Sequence, residues 1–163
     1  MKAVLRSIKP YWLYLILIGK KTVEIGKTFP KSEDWSKTVF LYCSKDMRSF
    51  NLIPPKDRVW MLEYLGKVAC KFVCTSVTEF SVPYPAHFDS MGYCVSRLLV
   101  DAQVTKSAAH NYLKQKNGYG WRITDLIIYD KPRELSEFSK YGFGHPVPLK
   151  RPPQSWMYVE VEG

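Results

Sequence analysis

The chain has 163 residues, 46% hydrophobic and 15% aromatic, which is one ordinary domain with apolar side chains enough for a sizeable core, and sets aside both disorder and a disulfide scaffold. Its longest apolar run, residues 11–18, falls far short of the ~20 residues of a spanning helix, and no secretory signal opens it, so the expected address is the cytoplasm with no membrane association. The formal net charge is +9, and residues 1–31 hold seven lysines and arginines against Glu24 alone, so +6 of the +9 sits in the first fifth of the chain, the footprint of a surface that meets phosphate.

In chain order, residues 3–8 read as a strand. Pro10 then opens a helix at its favoured first position, and Gly19 closes it at a left-handed cap. Residues 21–28 look extended, a polar loop runs through Ser36, and residues 38–44 alternate as a strand. A loop around Pro54, Pro55 and Asp57 leads to a turn at Gly66. Residues 67–79 are rich in β-branched and aromatic side chains and predict a long strand. Pro83, Pro85 and Gly92 argue for irregular structure over 81–93. Thr105 is placed to cap a helix over 106–116, ended by Asn117-Gly118. Residues 121–129 form a further strand and 132–138 a short helix. A last strand over 156–161 turns Met157, Val159 and Val161 to one face. This order predicts a single α+β domain over 1–163, a small half-open mixed barrel with an N-terminal helix and one or two more.

The first helix is apolar all round. A helix packed on one sheet normally keeps a polar side, so some of Trp12, Tyr14, Leu15 and Ile18 are expected to remain exposed and to support a homodimer through residues 10–18. The competing arrangement has residues 45–65 and 81–104 folding over the helix within one chain.

Metal and cofactor chemistry finds no foothold. Cys43, Cys70, Cys74 and Cys94 form no close pairs. On one strand Cys70 and Cys74 stand roughly 13 Å apart, too far to share a metal. The cysteines read as small buried hydrophobes, and neither zinc, disulfide nor cofactor is expected. His87, His110 and His145 have no metal spacing. Gly142-Phe143-Gly144-His145-Pro146 reads as a turn, not a phosphate loop.

The segment Gly19-Lys20-Lys21-Thr22-Val23-Glu24-Ile25-Gly26-Lys27 resembles the signature of the ASCH family, in words glycine, any residue, lysine, two residues, glutamate, one residue, arginine. Ser7-Ile8-Lys9-Pro10 resembles the family's opening, and Gly118-Tyr119-Gly120-Trp121-Arg122-Ile123 its later strand, where a tryptophan is common. Arg151-Pro152-Pro153-Gln154-Ser155-Trp156 is similar to the ending of phage and prophage members. The resemblance implies a PUA-like barrel with a basic cleft beside the first helix that binds nucleic acid, RNA above all, or a nucleotide. It points to Lys9, Lys21, Glu24, Lys27, Tyr119, Trp121 and Arg122 as ligand-binding residues. A lysine supplies a mobile cation, a glutamate accepts from the amino or imino edge of a base, and an aromatic ring stacks on it. On a strand, however, Lys21 would point away from Glu24.

The signature's arginine is missing. Gly26 takes its place, and Lys27 cannot reproduce a guanidinium fork; Arg6 or Arg122 are the alternatives from other strands. A second branch of the family is implied to hydrolyse acylated cytidine with a lysine, a threonine and a carboxylate. Lys21, Thr22 and Asp101 are the nearest counterparts, but Glu24 replaces the nucleophilic threonine of that branch, and a carboxylate cannot take over hydroxyl attack. A binding module is therefore expected in preference to a hydrolase, with a purely protein-interacting domain as a third reading.

Overall fold

Alternating apolar residues give seven strands: β1 (Lys2–Ile8), β2 (Val23–Gly26), β3 (Thr38–Cys43), β4 (Val68–Phe80), β5 (Gly118–Arg133), β6 (Ser139–Lys140) and β7 (Trp156–Glu160). The computed structural model describes residues 1–82 and 91–162, the side chains of 91–94 excepted. The strands join into one sheet in the order β2-β5-β4-β3-β1-β7-β6. Among the described residues only the β1–β3 pair runs parallel. A parallel pair needs a crossover, which α1 (Pro10–Leu17) and β2 supply. β1 is an interior strand, and both its faces are covered. Val4 joins a core with Leu13, Ile16, Phe72 and Trp121, while Ala3 and Leu5 join Phe40, Phe138 and Val159 on the other side. The architecture is α+β, as the element order predicts.

Several elements follow the sequence closely. Thr105 caps α5 (Lys106–Leu113), its hydroxyl accepting from the Ala108 N–H at 3.1 Å. Gly19 closes the first helical turn region with φ +80. Met157, Val159 and Val161 share one core. Elsewhere the structure corrects the reading. The expected loop around Pro54 contains α2 (Met47–Phe50) and α3 (Pro55–Met61): Asp46 caps the first of these, and Pro55 sits at the favoured first position of the second. The irregular segment expected over 81–93 lies largely outside the described residues, as does His87, but from Met91 the chain is helical, forming α4 (Met91–Asp101). Helix α5 ends at Lys114 and Gln115, both with positive φ, before Gly118 starts β5. The short helix expected over 132–138 shrinks to one 3-10 turn, Leu135–Glu137.

The excess apolar surface expected of α1 is not there. Tyr14 and Leu15 are each 6% exposed, and only Ile18, just past the helix end, reaches 38%. Residues 45–65 cover the helix: the Tyr11 N–H donates to Ser49 Oγ (3.0 Å), and the Tyr14 hydroxyl and the Trp60 indole N–H both donate to the Asp57 carboxylate (2.7 and 3.1 Å). Of the residues expected on a dimer surface, Tyr14 and Leu15 are thus buried within one chain, while Trp12 is half-buried and Ile18 exposed. Among the described residues no helix is long and apolar enough to cross a membrane.

Candidate ligand-binding cleft

β1 and β2 have no backbone pairing with each other. A cleft of about 540 Å³ lies between them, walled by α1 on one side and α5 on the other. Its floor is polar and nearly sealed. Arg6 is 4%, Lys21 2% and Glu24 6% exposed. Arg6 reaches from β1 to β2, where Nη2 donates to the Ile25 carbonyl at 2.9 Å and lies 3.5 Å from Glu24 Oε1. The guanidinium also stands 5.0 Å from the Trp121 ring, a favourable arrangement of cation over π face. Glu24 Oε1 accepts from the Ile25 N–H at 3.0 Å. What remains is unusual: Arg6 Nε and Nη1, Glu24 Oε2 and Trp121 Nε1 are buried without a hydrogen-bond partner. Such groups cost free energy unless something satisfies them.

Lys21 comes from the turn after α1. The N–H groups of Lys20 and Lys21 both donate to the Leu15 carbonyl (2.9 and 3.0 Å), closing the helix end. Its ammonium donates to the Ala102 carbonyl at 2.7 Å and lies 5.0 Å from the Trp12 ring. Burial lowers the Lys21 pKa, Glu24 partly opposes this, and Arg6 lowers it further. The floor therefore carries two basic groups and one acid, and burial penalises the charged form of Lys21.

Aromatic rings and mobile cations frame the mouth. Trp12 lines it from α1 and Tyr112 from α5, and the Lys27 ammonium stands 4.7 Å from the Tyr112 ring. Burial raises the Tyr112 pKa. Lys9, exposed, also lines the cleft, with the half-buried Asp46 3.5 Å away as its partner.

No protein-family model matches the chain, and no curated protein matches it significantly. Solved structures do. The crystal structure of ASCH from Zymomonas mobilis superposes with a TM-score of 0.58 at 15% identity, over 97% of this chain and 87% of that one. Two single-substitution variants of the same protein give TM-scores of 0.58 and 0.57 at 15% and 14% identity, over 98% and 97% of this chain and 91% and 88% of theirs. The chain has the ASCH fold.

Within this ASCH fold the expected site residues divide into two groups. Lys9, Lys21, Glu24 and Lys27 all line the cleft. Strand parity misjudged Lys21, because it precedes β2 and lies in the helix-closing turn, so it shares the floor with Glu24 while Thr22 is exposed. Tyr119, Trp121 and Arg122 do not line the cleft. Trp121 is fully buried, so it cannot stack on a base; its role is to support Arg6 and Trp156 from the core. Tyr119 packs on Phe29, and Arg122 pairs with Asp101 at 3.3 Å. Of the three residues in the hydrolytic reading, only Lys21 lines the cleft. Asp101 is engaged by Arg97 and Arg122, and its carbonyl accepts from the Thr22 N–H. The aromatic walls, Trp12 and Tyr112, were missed. Trp12 sits in a run read as uniformly apolar, and Tyr112 faces the cleft only because α5 packs roughly ninety residues away in sequence from β2, a proximity that no local pattern carries.

Proposed function

We propose that this protein binds a nucleobase-bearing ligand in the cleft, either a free nucleotide or one unpaired nucleotide of an RNA strand. The observation that carries this reading is the grouping of Arg6, Lys21 and Glu24 on a buried floor beneath Trp12 and Tyr112. Glu24 Oε2 lacks a donor and Arg6 Nε and Nη1 lack acceptors, so a planar edge bearing both an N–H and a carbonyl or ring nitrogen matches the floor. An isolated phosphate matches it less well, since the Glu24 carboxylate would repel it. Phosphate suits the mouth, where Lys9 and Lys27 are exposed and able to follow it. The depth and aromatic walls favour a single nucleotide in the cleft over an extended polymer tract. A hydrolytic reading draws less support, because Thr22 lies outside the cleft and Glu24 stands where that branch has its nucleophile.

Titration of nucleoside 5′-monophosphates and of a short single-stranded RNA at low salt tests this. Binding by at least one of them is expected, lost in Trp12→Ala, with RNA affinity falling as salt rises. In Lys9→Ala/Lys27→Ala the slope of log affinity against log salt should flatten by about one to two. No binding of any mononucleotide or RNA at low salt would overturn the reading.

A further inference from the structure

Gly26 ends β2 on the same face as Glu24, and its φ lies outside the left-handed region, so backbone conformation does not require glycine there. Space does. A Cβ at this position would lie 3.0 Å from the Thr28 carbonyl oxygen, 3.1 Å from Trp121 Nε1 and 3.2 Å from Arg6 Nη1. The room that a side chain at 26 would need is thus taken in part by the guanidinium of Arg6, arriving from β1. Arg6 in turn spans the gap between two strands that share no backbone pairing, and it holds Glu24 Oε1 from one side while the Ile25 N–H holds it from the other.

We propose that Arg6 is the positioning residue of the cleft: it fixes the Glu24 carboxylate with Oε2 left for a ligand's donor, and Gly26 is the matching vacancy, so that the guanidinium the ASCH signature carries at position 26 is carried here at position 6. Positions 6 and 26 then admit one large cation between them. The proposal rests on the cleft being a ligand site only for its binding consequence; the exchange between the two positions is a property of the empty protein.

The test has two arms. In the ligand-free protein, thermal midpoints are measured for Arg6→Ala, Gly26→Arg and the double variant. Moving the cation relieves the contact with Arg6, though not those with the Thr28 carbonyl and Trp121 Nε1, and returns a partner to Glu24, so the double variant is expected to melt above Gly26→Arg, with losses short of additive. Additive losses overturn the exchange. If Gly26→Arg does not fold, Gly26→Ala is compared in the wild type and in Arg6→Gln: a smaller loss in the second background supports the exchange, and equal losses overturn it. In the binding arm, the best-binding mononucleotide is titrated against Arg6→Lys. A loss of about tenfold is expected in the wild type and under about threefold in Glu24→Gln, because the role passes through the carboxylate. Equal loss in both backgrounds overturns the positioning role. A wild type that binds no nucleotide would sink the proposed function while leaving the melting arm decisive for positions 6 and 26.

Discussion

Two polar clusters are built around α1, and they differ in one respect. Over the outer side of the helix, the Asp57 carboxylate accepts from both the Tyr14 hydroxyl and the Trp60 indole, one donor per oxygen. Beneath its other side, Arg6, Lys21 and Glu24 hold an odd balance of charge and leave Arg6 Nε, Arg6 Nη1 and Glu24 Oε2 without partners. The first cluster is closed: it fastens α3 to α1 and asks nothing of a ligand. The second is open, and burial makes its openness costly. A fold that keeps three charged groups on a nearly sealed floor at the expense of stability is the pattern expected where binding, not rigidity, sets the residues.

The largest effect should come from breaking the open cluster. Glu24→Ala leaves Arg6 and Lys21 as uncompensated cations in the same buried volume. Removing one partner of a buried ion pair costs about 3–5 kcal/mol, which for a chain of this size lowers the thermal midpoint by roughly 10 °C. Ligand binding should vanish with it. Glu24→Gln, which keeps the shape and an acceptor, should fall between the two. A midpoint for Glu24→Ala within a degree or two of the wild type would show that the floor is better solvated than its exposure suggests.

Asp57→Ala attacks the closed cluster and should lower the midpoint by less, with nucleotide affinity unchanged. The hydrogen bonds from Trp60 and Tyr14 hold the Asp57 carboxyl below its ordinary value. A group with a depressed folded pKa adds stability that is complete above the unfolded value, near 4, and lost as pH falls through the folded one. The gap between wild type and Asp57→Ala should therefore be constant from neutral pH down to about pH 4 and close below it. Loss of nucleotide binding in Asp57→Ala would erase the distinction between the two clusters.

Much of the frame was legible because it is written in local patterns: period-two runs, the Pro10 and Gly19 punctuation, the Thr105 cap. The covering of α1 was less so. Pro55 and Asp46 signal helix starts, yet the turns between them are too short for a periodic pattern to show. Half of the cleft was also legible, through the spacing of Lys21 and Glu24 in the signature. The remainder depends on which distant elements meet. Trp121 matches a family motif but is consumed by the core, whereas Tyr112 matches nothing and forms a wall. Arg6 sits in a buried strand, where a charged residue has to find a partner, and that rule alone marks it as worth following. The identity of the partner comes only from the sheet order that sets β1 across from β2.

The smallest effect, and the most specific to the open cluster, is the titration of Lys21. Burial lowers its amine pKa from the ordinary 10.5, and Arg6 adds to this while Glu24 opposes it. Below the folded value the ammonium is charged in both the folded and the unfolded chain, so the folded protein carries a constant penalty. Between the folded value and 10.5 the unfolded chain binds a proton that the folded one has released, and stability rises with pH across that window. The buried thiols run the other way. Burial pushes Cys43 and Cys70 up to about 12 from 9.0, and their contribution is lost as pH rises above the unfolded thiol value. The lysine must therefore be read as a difference between the wild type and Lys21→Met, which keeps the stem, removes the charge and retains all cysteines. That substitution leaves the Ala102 carbonyl without its donor, a cost that does not depend on pH. Chemical denaturation from pH 7 to 10.5 should show the wild type gaining on Lys21→Met as pH rises. A difference that stays flat over that range would mean that Lys21 titrates like a solvated lysine, and the floor of the cleft would then be open to water instead of waiting for a ligand.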